Sequence, residues 1–290
     1  MFYGGNSFYD ALELQLAKKM SHGFQVQGAF TWGKSIDDES GTVAGDQFGN
    51  SISALDWFDR RLTRGVSDFN MGKTLVFNGI WQVPGIRSAP GAVRWAVNGW
   101  QLGGIFKAGD GVPFTATIGG DLLGKKSSKT FDYPNRVAGC DPINRNFKTQ
   151  GLLYVSANCF AFPTAPDQAF WSANCDPAPK SFGGALPAGD LRCFNLRGNS
   201  GRNIMAGPGL TEFDFSVFKN NYIRRISESF NVQFRAELFN VLNHANFAVP
   251  VTPDNTDVFN GNGGPTGTAG RLTSTSTTAR EIQFAMKVMW

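Results

Sequence analysis

Four cysteines stand at Cys140, Cys159, Cys175 and Cys193. Thiols can hold a metal, act as nucleophiles or cross-link a chain. A zinc site needs four convergent ligands, often seeded by a C-x-x-C pair. No such pair is present, and His22 and His244 are the only histidines. An even number of cysteines confined to one stretch reads instead as two disulfides made in an oxidising compartment. Three pairings are open, and spacing does not choose among them. The contrary reading, four free thiols in a cytoplasmic loop, is separated from this one by mass shifts on alkylation with and without reductant.

Other candidate chemistry is thinner. DNTDVFNGNGG (254–264) gathers side-chain oxygens and glycines. Its acidic residues miss the 1-3-5 spacing of a calcium loop and no late Glu closes it, so it reads as a solvated loop. Ser200 in RGNSGRN has no evident base, and the pair Asp37–Asp38 reads as an exposed turn. There is no G-x-S-x-G elbow, H-E-x-x-H, P-loop or G-x-G-x-x-G. The expectation is a chain that is not an enzyme, with no catalytic, cofactor-binding or metal-binding residues.

The elements that would position such residues are strands. Leu12, Leu14 and Leu16 alternate with Glu13, Gln15 and Lys18 nearby. The same two-residue period runs through Phe24, Val26, Gly28, Phe30 and Trp32, through Leu75, Phe77, Gly79, Trp81 and Val83, and through Trp100, Leu102, Gly104, Phe106 and Ala108. It returns in Phe213, Phe215 and Val217, in Phe230, Val232, Phe234, Ala236 and Leu238, and in Ile282, Phe284, Met286, Val288 and Trp290. A period of two is that of a strand, not of a helix. Seven strands follow, most near the ~10 residues that a tilted strand needs to cross a bilayer. None contains any of the 14 prolines, as a continuous ladder requires.

The connections alternate in length. MSHG (20–23) is a tight turn, 84–98 and 220–228 are short, and 36–70, 115–209 and 240–279 are long. The 115–209 stretch, rich in Pro, Asn and Gly, holds all four cysteines and is expected to be one very long structureless loop. Alternating short turns and long loops mark an up-and-down membrane barrel. Phe30, Trp32, Trp81, Trp100 and Phe230 lie near strand ends, where aromatic girdles sit. On the other face Arg235 and Glu237 point to a wet lumen, where a solvated or cross-strand pair is expected.

Composition agrees. The 290 residues carry 27 basic and 23 acidic side chains, net +4. That balance, without a basic stripe interleaved with aromatics, does not argue for nucleic acid. Glycine stands at 35 of 290 residues, against a typical ~7 %, beside 26 Phe, a turn-rich β composition. No run of 18 apolar residues exists, which excludes a helical span but not a barrel. MFYGGNSFYD at the start has no signal-peptide pattern.

Three stretches, AGPGLTEFDFSVFKNN, FNVQFRAELFNVLNHANF (230–247) and GRLTSTSTTAREIQFAMKVMW (270–290), resemble the C-terminal barrel of TonB-dependent receptors, in particular the Oar-like subgroup with an N-terminal carboxypeptidase-regulatory-like domain. Residues 6–38, DRRLTRGVSDFN (59–70) and NGWQLGGIFKAGDGVPFT (98–115) are similar to that pattern as well. The resemblance spans nearly the whole chain and is patchy only in the 115–209 loop. It implies an antiparallel transmembrane β-barrel in the outer membrane, with long extracellular loops. It implies that Ile282, Phe284, Met286, Val288 and Trp290 are the signal read by the barrel assembly machinery. The implied partners are outer-membrane lipid, an unidentified extracellular ligand, and TonB through a missing N-terminal region. The family also has a signal peptide, a plug domain and about 22 strands. The expectation is therefore that residues 1–290 are the C-terminal third of a longer receptor, with Met1 an internal methionine or a misassigned start. Two alternatives stand beside transport: a surface or adhesion barrel without transport, and a soluble secreted β-sandwich.

Overall fold

The computed structural model describes residues 5–41, 60–86, 88, 90–120, 132–164, 198–250 and 255–290. Seven long strands dominate it: β1 (Ser7–Ser21), β2 (Phe24–Asp37), β3 (Lys73–Gln82), β4 (Trp100–Gly109), β5 (Leu210–Tyr222), β6 (Asn231–Phe239) and β7 (Glu281–Met289). Each pairs antiparallel with the next in chain order. The short segment Gly65–Val66 adds to β2 at Ile36 and Asp37. The sheet is an up-and-down wall, open at β1 and β7 among the described residues.

The register places every apolar set on one face. Leu14 lies opposite Phe30, Phe30 opposite Leu75, and Leu75 opposite Ala108. Further along, Phe106 faces Phe213, Phe215 faces Leu238, and Leu238 faces Ile282. A one-residue slip at any pair would turn one strand inside out. The other face carries Glu13, Gln15, Gln27, Asn78, Lys107, Glu212, Gln233, Arg235 and Lys287.

The short connections lie at one end of the wall. His22 and Gly23 both have positive φ (52° and 76°), the backbone of a tight hairpin that follows the strand twist. A Cβ on Gly23 would sit 2.8 Å from the Gln82 carbonyl oxygen, so glycine is required twice over there. The connection between β3 and β4 contains a helix, α1 (Gly91–Val97), too short for its period to be read from the sequence.

The long connections lie at the other end, and there the expectation of a structureless 115–209 loop is corrected for its described residues, 115–120, 132–164 and 198–209. Every buried apolar residue of the described core lies in these loops and none lies in the seven strands: Phe114, Ala116, Tyr154, Val155, Phe160 and Met205 pack with Val258 and Leu272. Backbone bonds lace the loops together, as Tyr154 N–H donates to Gly270 O (2.9 Å) and Leu272 N–H to Leu152 O (3.0 Å). Phe147 meets Tyr154 and Phe247 edge-on, at 5.2 and 5.8 Å between ring centres. Burial of apolar surface is driven by water. A wall whose apolar face looks into lipid gains nothing from a core of its own, so the core forms where the chain stands in water.

Candidate functional site

The outer loops are held by a guanidinium. Arg202 has no solvent exposure at its side chain. Its Nε donates to Thr63 O (2.7 Å), its Nη1 to Asp68 Oδ1 (3.0 Å), and its Nη2 to Asp37 O (2.9 Å) and Asp37 Oδ1. Asn203 beside it, in the left-handed region at φ 55°, donates from Nδ2 to Asp68 Oδ1 and Val66 O, both at 2.6 Å. Its backbone N–H donates to Thr115 Oγ1 (2.9 Å). One dipeptide thus joins the top of β2, the 60–68 turn and the segment after β4. Burying a guanidinium is tolerable only when its donors are paired, and here all of its described bonds go to protein acceptors. That makes Arg202 a staple, with no donor directed at a ligand.

This overturns the reading of Asp37–Asp38 as an exposed turn. Both are buried: Asp37 is answered by Arg202, and Asp38 accepts from Arg64 Nη1 (3.1 Å) and from Asn6 N–H (3.1 Å). Two carboxylates side by side read as solvated only until a cation distant in sequence is folded onto them. Sequence reasoning passed over Arg202, although RGNSGRN drew notice for Ser200. Ser200 is buried, its N–H donating to Pro134 O (3.0 Å), with no base at its hydroxyl among the described residues. Burial pushes the nearby Tyr133 phenol well above its usual range; Arg202 pulls it back and Asp68 adds to the rise.

Of the four cysteines, Cys140 and Cys159 are joined, with Cα atoms 5.3 Å apart, and the bridge packs against the loop core. Cys175 and Cys193 lie outside the described residues. The cross-link closes a stretch of 19 residues, a size for which about 3 kcal/mol of stabilisation is ordinary. Alkylation without reductant is expected to leave Cys140 and Cys159 unlabelled. Reduction is expected to label both and to speed proteolysis of 132–164 while β1–β7 stay protected. Equal labelling with and without reductant would refute the bridge.

The terminal residues Ile282, Phe284, Met286 and Val288 stand on the apolar face of β7, with Trp290 just beyond it; Phe284 is 79 % exposed and Trp290 88 %. They do not pack in a core. The remaining candidates have structural partners. His22 Nδ1 is 2.9 Å from Ser21 Oγ, and His244 Nδ1 is 3.0 Å from Asn246 Oδ1. Asp257 in the 254–264 run accepts from Thr117 Oγ1 (2.6 Å). Asp254 is outside the described residues. Arg235 lines the polar face as expected, and its guanidinium lies against its cross-strand partner Phe218. It donates to Gln233 Oε1 (2.6 Å), because residues two apart share a face, and lies 5.3 Å over the ring of Phe218 opposite it on β5. On the same face Lys107 meets Glu212 (3.4 Å) and Asp214 (4.0 Å).

A single antiparallel wall, apolar outside and polar inside, with short turns at one end and long packed loops at the other, defines a membrane β-barrel protein. No second sheet is stacked on its apolar face among the described residues. The chain belongs to the outer membrane beta barrel domain family, whose match covers residues 1–283, and its place is the outer membrane. No curated protein and no solved structure matches it.

Proposed function

We propose that this wall is part of a TonB-dependent transporter of the Oar-like kind, which takes up a bulky substrate with energy supplied from the inner membrane. The reading rests on the stretches AGPGLTEFDFSVFKNN, FRAELFNVLNHANF and EIQFAMKVMW, which resemble that family's last strands. It is supported by the direction of the open edges. β1 and β7 run the same way, since consecutive antiparallel strands alternate and the wall has seven. Closing both edges with antiparallel partners takes an odd number of further strands, which makes the even total usual for bacterial barrels. Open edges in hydrocarbon would leave N–H and C=O groups unpaired at several kcal/mol each. In this reading the stapled loops meet the extracellular ligand, the polar face surrounds a plug, TonB engages a region preceding these residues, and the barrel assembly machinery reads Ile282 to Trp290.

The DNA upstream of codon 1 tests it. A frame that continues through more alternating strands, a plug and a signal peptide is the expected result. A stop codon and ribosome-binding site immediately before Met1 would overturn transport. Further strands without a plug would favour a surface or adhesion barrel.

A further inference from the structure

The wall is hollowed on its membrane face near α1. At the short-turn end, Trp95 and Ala96 of α1 stand beside side chains of β5–β7 and border a groove of about 670 Å³, within the range of small-molecule sites. Trp95 of α1 and Trp100 form one side; Val217, Ala236, Phe284 and Met286 form the floor. These floor residues belong to the apolar face, where Val217 pairs with Ala236 and Ala236 with Phe284. Small side chains at Val217 and Ala236 between larger neighbours make the hollow.

Two cationic residues border the groove, Lys219 and Arg235; the Arg235 guanidinium is engaged on the polar face with Gln233 Oε1 and the Phe218 ring, which leaves Lys219 as the cation on the apolar side. Lys219 shares the face with Phe234 and Met286 and is 9 % exposed. Its Nζ donates to Asn221 Oδ1 (2.8 Å) and more weakly to Asn220 O (3.5 Å), and lies 5.3 Å from the Trp95 ring and 5.8 Å from the Trp100 ring. Among the described residues it has no carboxylate partner. A lysine at the edge of the hydrocarbon, flanked by tryptophans, sits at headgroup level.

We propose that this groove holds an acyl chain of an anionic phospholipid from the periplasmic leaflet, with Lys219 meeting its phosphate. The place decides for lipid over protein, because the floor is continuous with the wall that faces the bilayer. The sign of the uncompensated charge decides for an anionic headgroup. The site depends on the membrane orientation and not on transport.

Tryptophan quenching tests it. The full protein, extracted from outer membranes in mild detergent, is placed in phosphatidylcholine vesicles. These contain equal mole fractions of either brominated phosphatidylglycerol or brominated phosphatidylcholine. The Trp95 signal is taken as the difference between wild type and Trp95→Phe. About fivefold stronger association of the phosphatidylglycerol is expected, the enrichment that one lysine near a membrane surface gives. Lys219→Gln should equalise the two lipids and Lys219→Arg should keep the preference, with heat-modifiable migration reporting the fold of each variant. Equal quenching by both lipids in wild type overturns the proposal, as does a preference that survives Lys219→Gln. Failure of either lipid to quench Trp95 also overturns it, and would mean that protein covers the groove.

Discussion

Arg202→Met frees the outer loops from one another while the seven-stranded wall stays paired. The substitution keeps much of the side-chain bulk and removes the charge. Asp37 and Asp68 then lose the guanidinium that answers them in the buried junction, and Thr63 O and Asp37 O lose their donor. Stranding a buried charge costs about 3–5 kcal/mol, well above the worth of an exposed ion pair. The loss falls on the junction, because the pairs span 165 and 134 residues and nothing local replaces them. Hydrogen exchange followed by mass spectrometry should show faster exchange in 60–70 and 198–206, with β3, β4 and β6 unchanged. Adding Asp37→Asn and Asp68→Asn should restore part of the protection, since the neutral set no longer buries uncompensated charge. Unchanged exchange in the single variant would mean that Arg202 is a passenger in a junction held by the apolar loop core.

The second large effect separates the two faces of the wall at adjacent positions. Phe215 lies midway along the apolar face of β5, between Thr211 and Lys219, opposite Gly104 and Leu238. Ser216 faces the other way, opposite Gly103 and Glu237. Phe215→Arg places a cation near the middle of the hydrocarbon, at about 2–4 kcal/mol. Ser216→Arg places the same cation in the polar interior beside a carboxylate, where the expected change is within about 1 kcal/mol. The fraction of chain recovered from outer membranes in the heat-modifiable form is the readout. It should fall steeply for Phe215→Arg and hold for Ser216→Arg. Equal losses, or the reverse order, would show that the apolar face does not meet lipid.

Much of the architecture is written in short-range pattern. Side chains at i and i+2 share a face whatever the rest of the chain does. Leu12, Leu14 and Leu16, or Phe284, Met286 and Val288, therefore announce a strand without any partner. Proline cannot donate to a ladder, so its absence from the seven segments marks their continuity. His22-Gly23 encodes its turn in its own backbone preferences. From these the sequence by itself determined the number of strands, their order of long and short connections, and the side of each that is apolar.

The tertiary structure alone decided what depends on residues far apart. Which of three cysteine pairings occurs is a matter of which Cα atoms approach within bonding reach, and folding brought Cys140 to Cys159. Asp37 is exposed or buried according to whether Arg202 arrives. The described parts of the 115–209 loop pack or wander according to whether Val258 and Leu272 supply the other half of their core. The groove beside α1 exists because a seven-residue helix, too short to leave a periodic trace, brings Trp95 and Ala96 next to side chains of β5–β7. Local periodicity is carried by backbone geometry within a few residues. Pairings across a hundred residues are settled only by the sum of burial, hydrogen bonding and chain entropy over the whole fold.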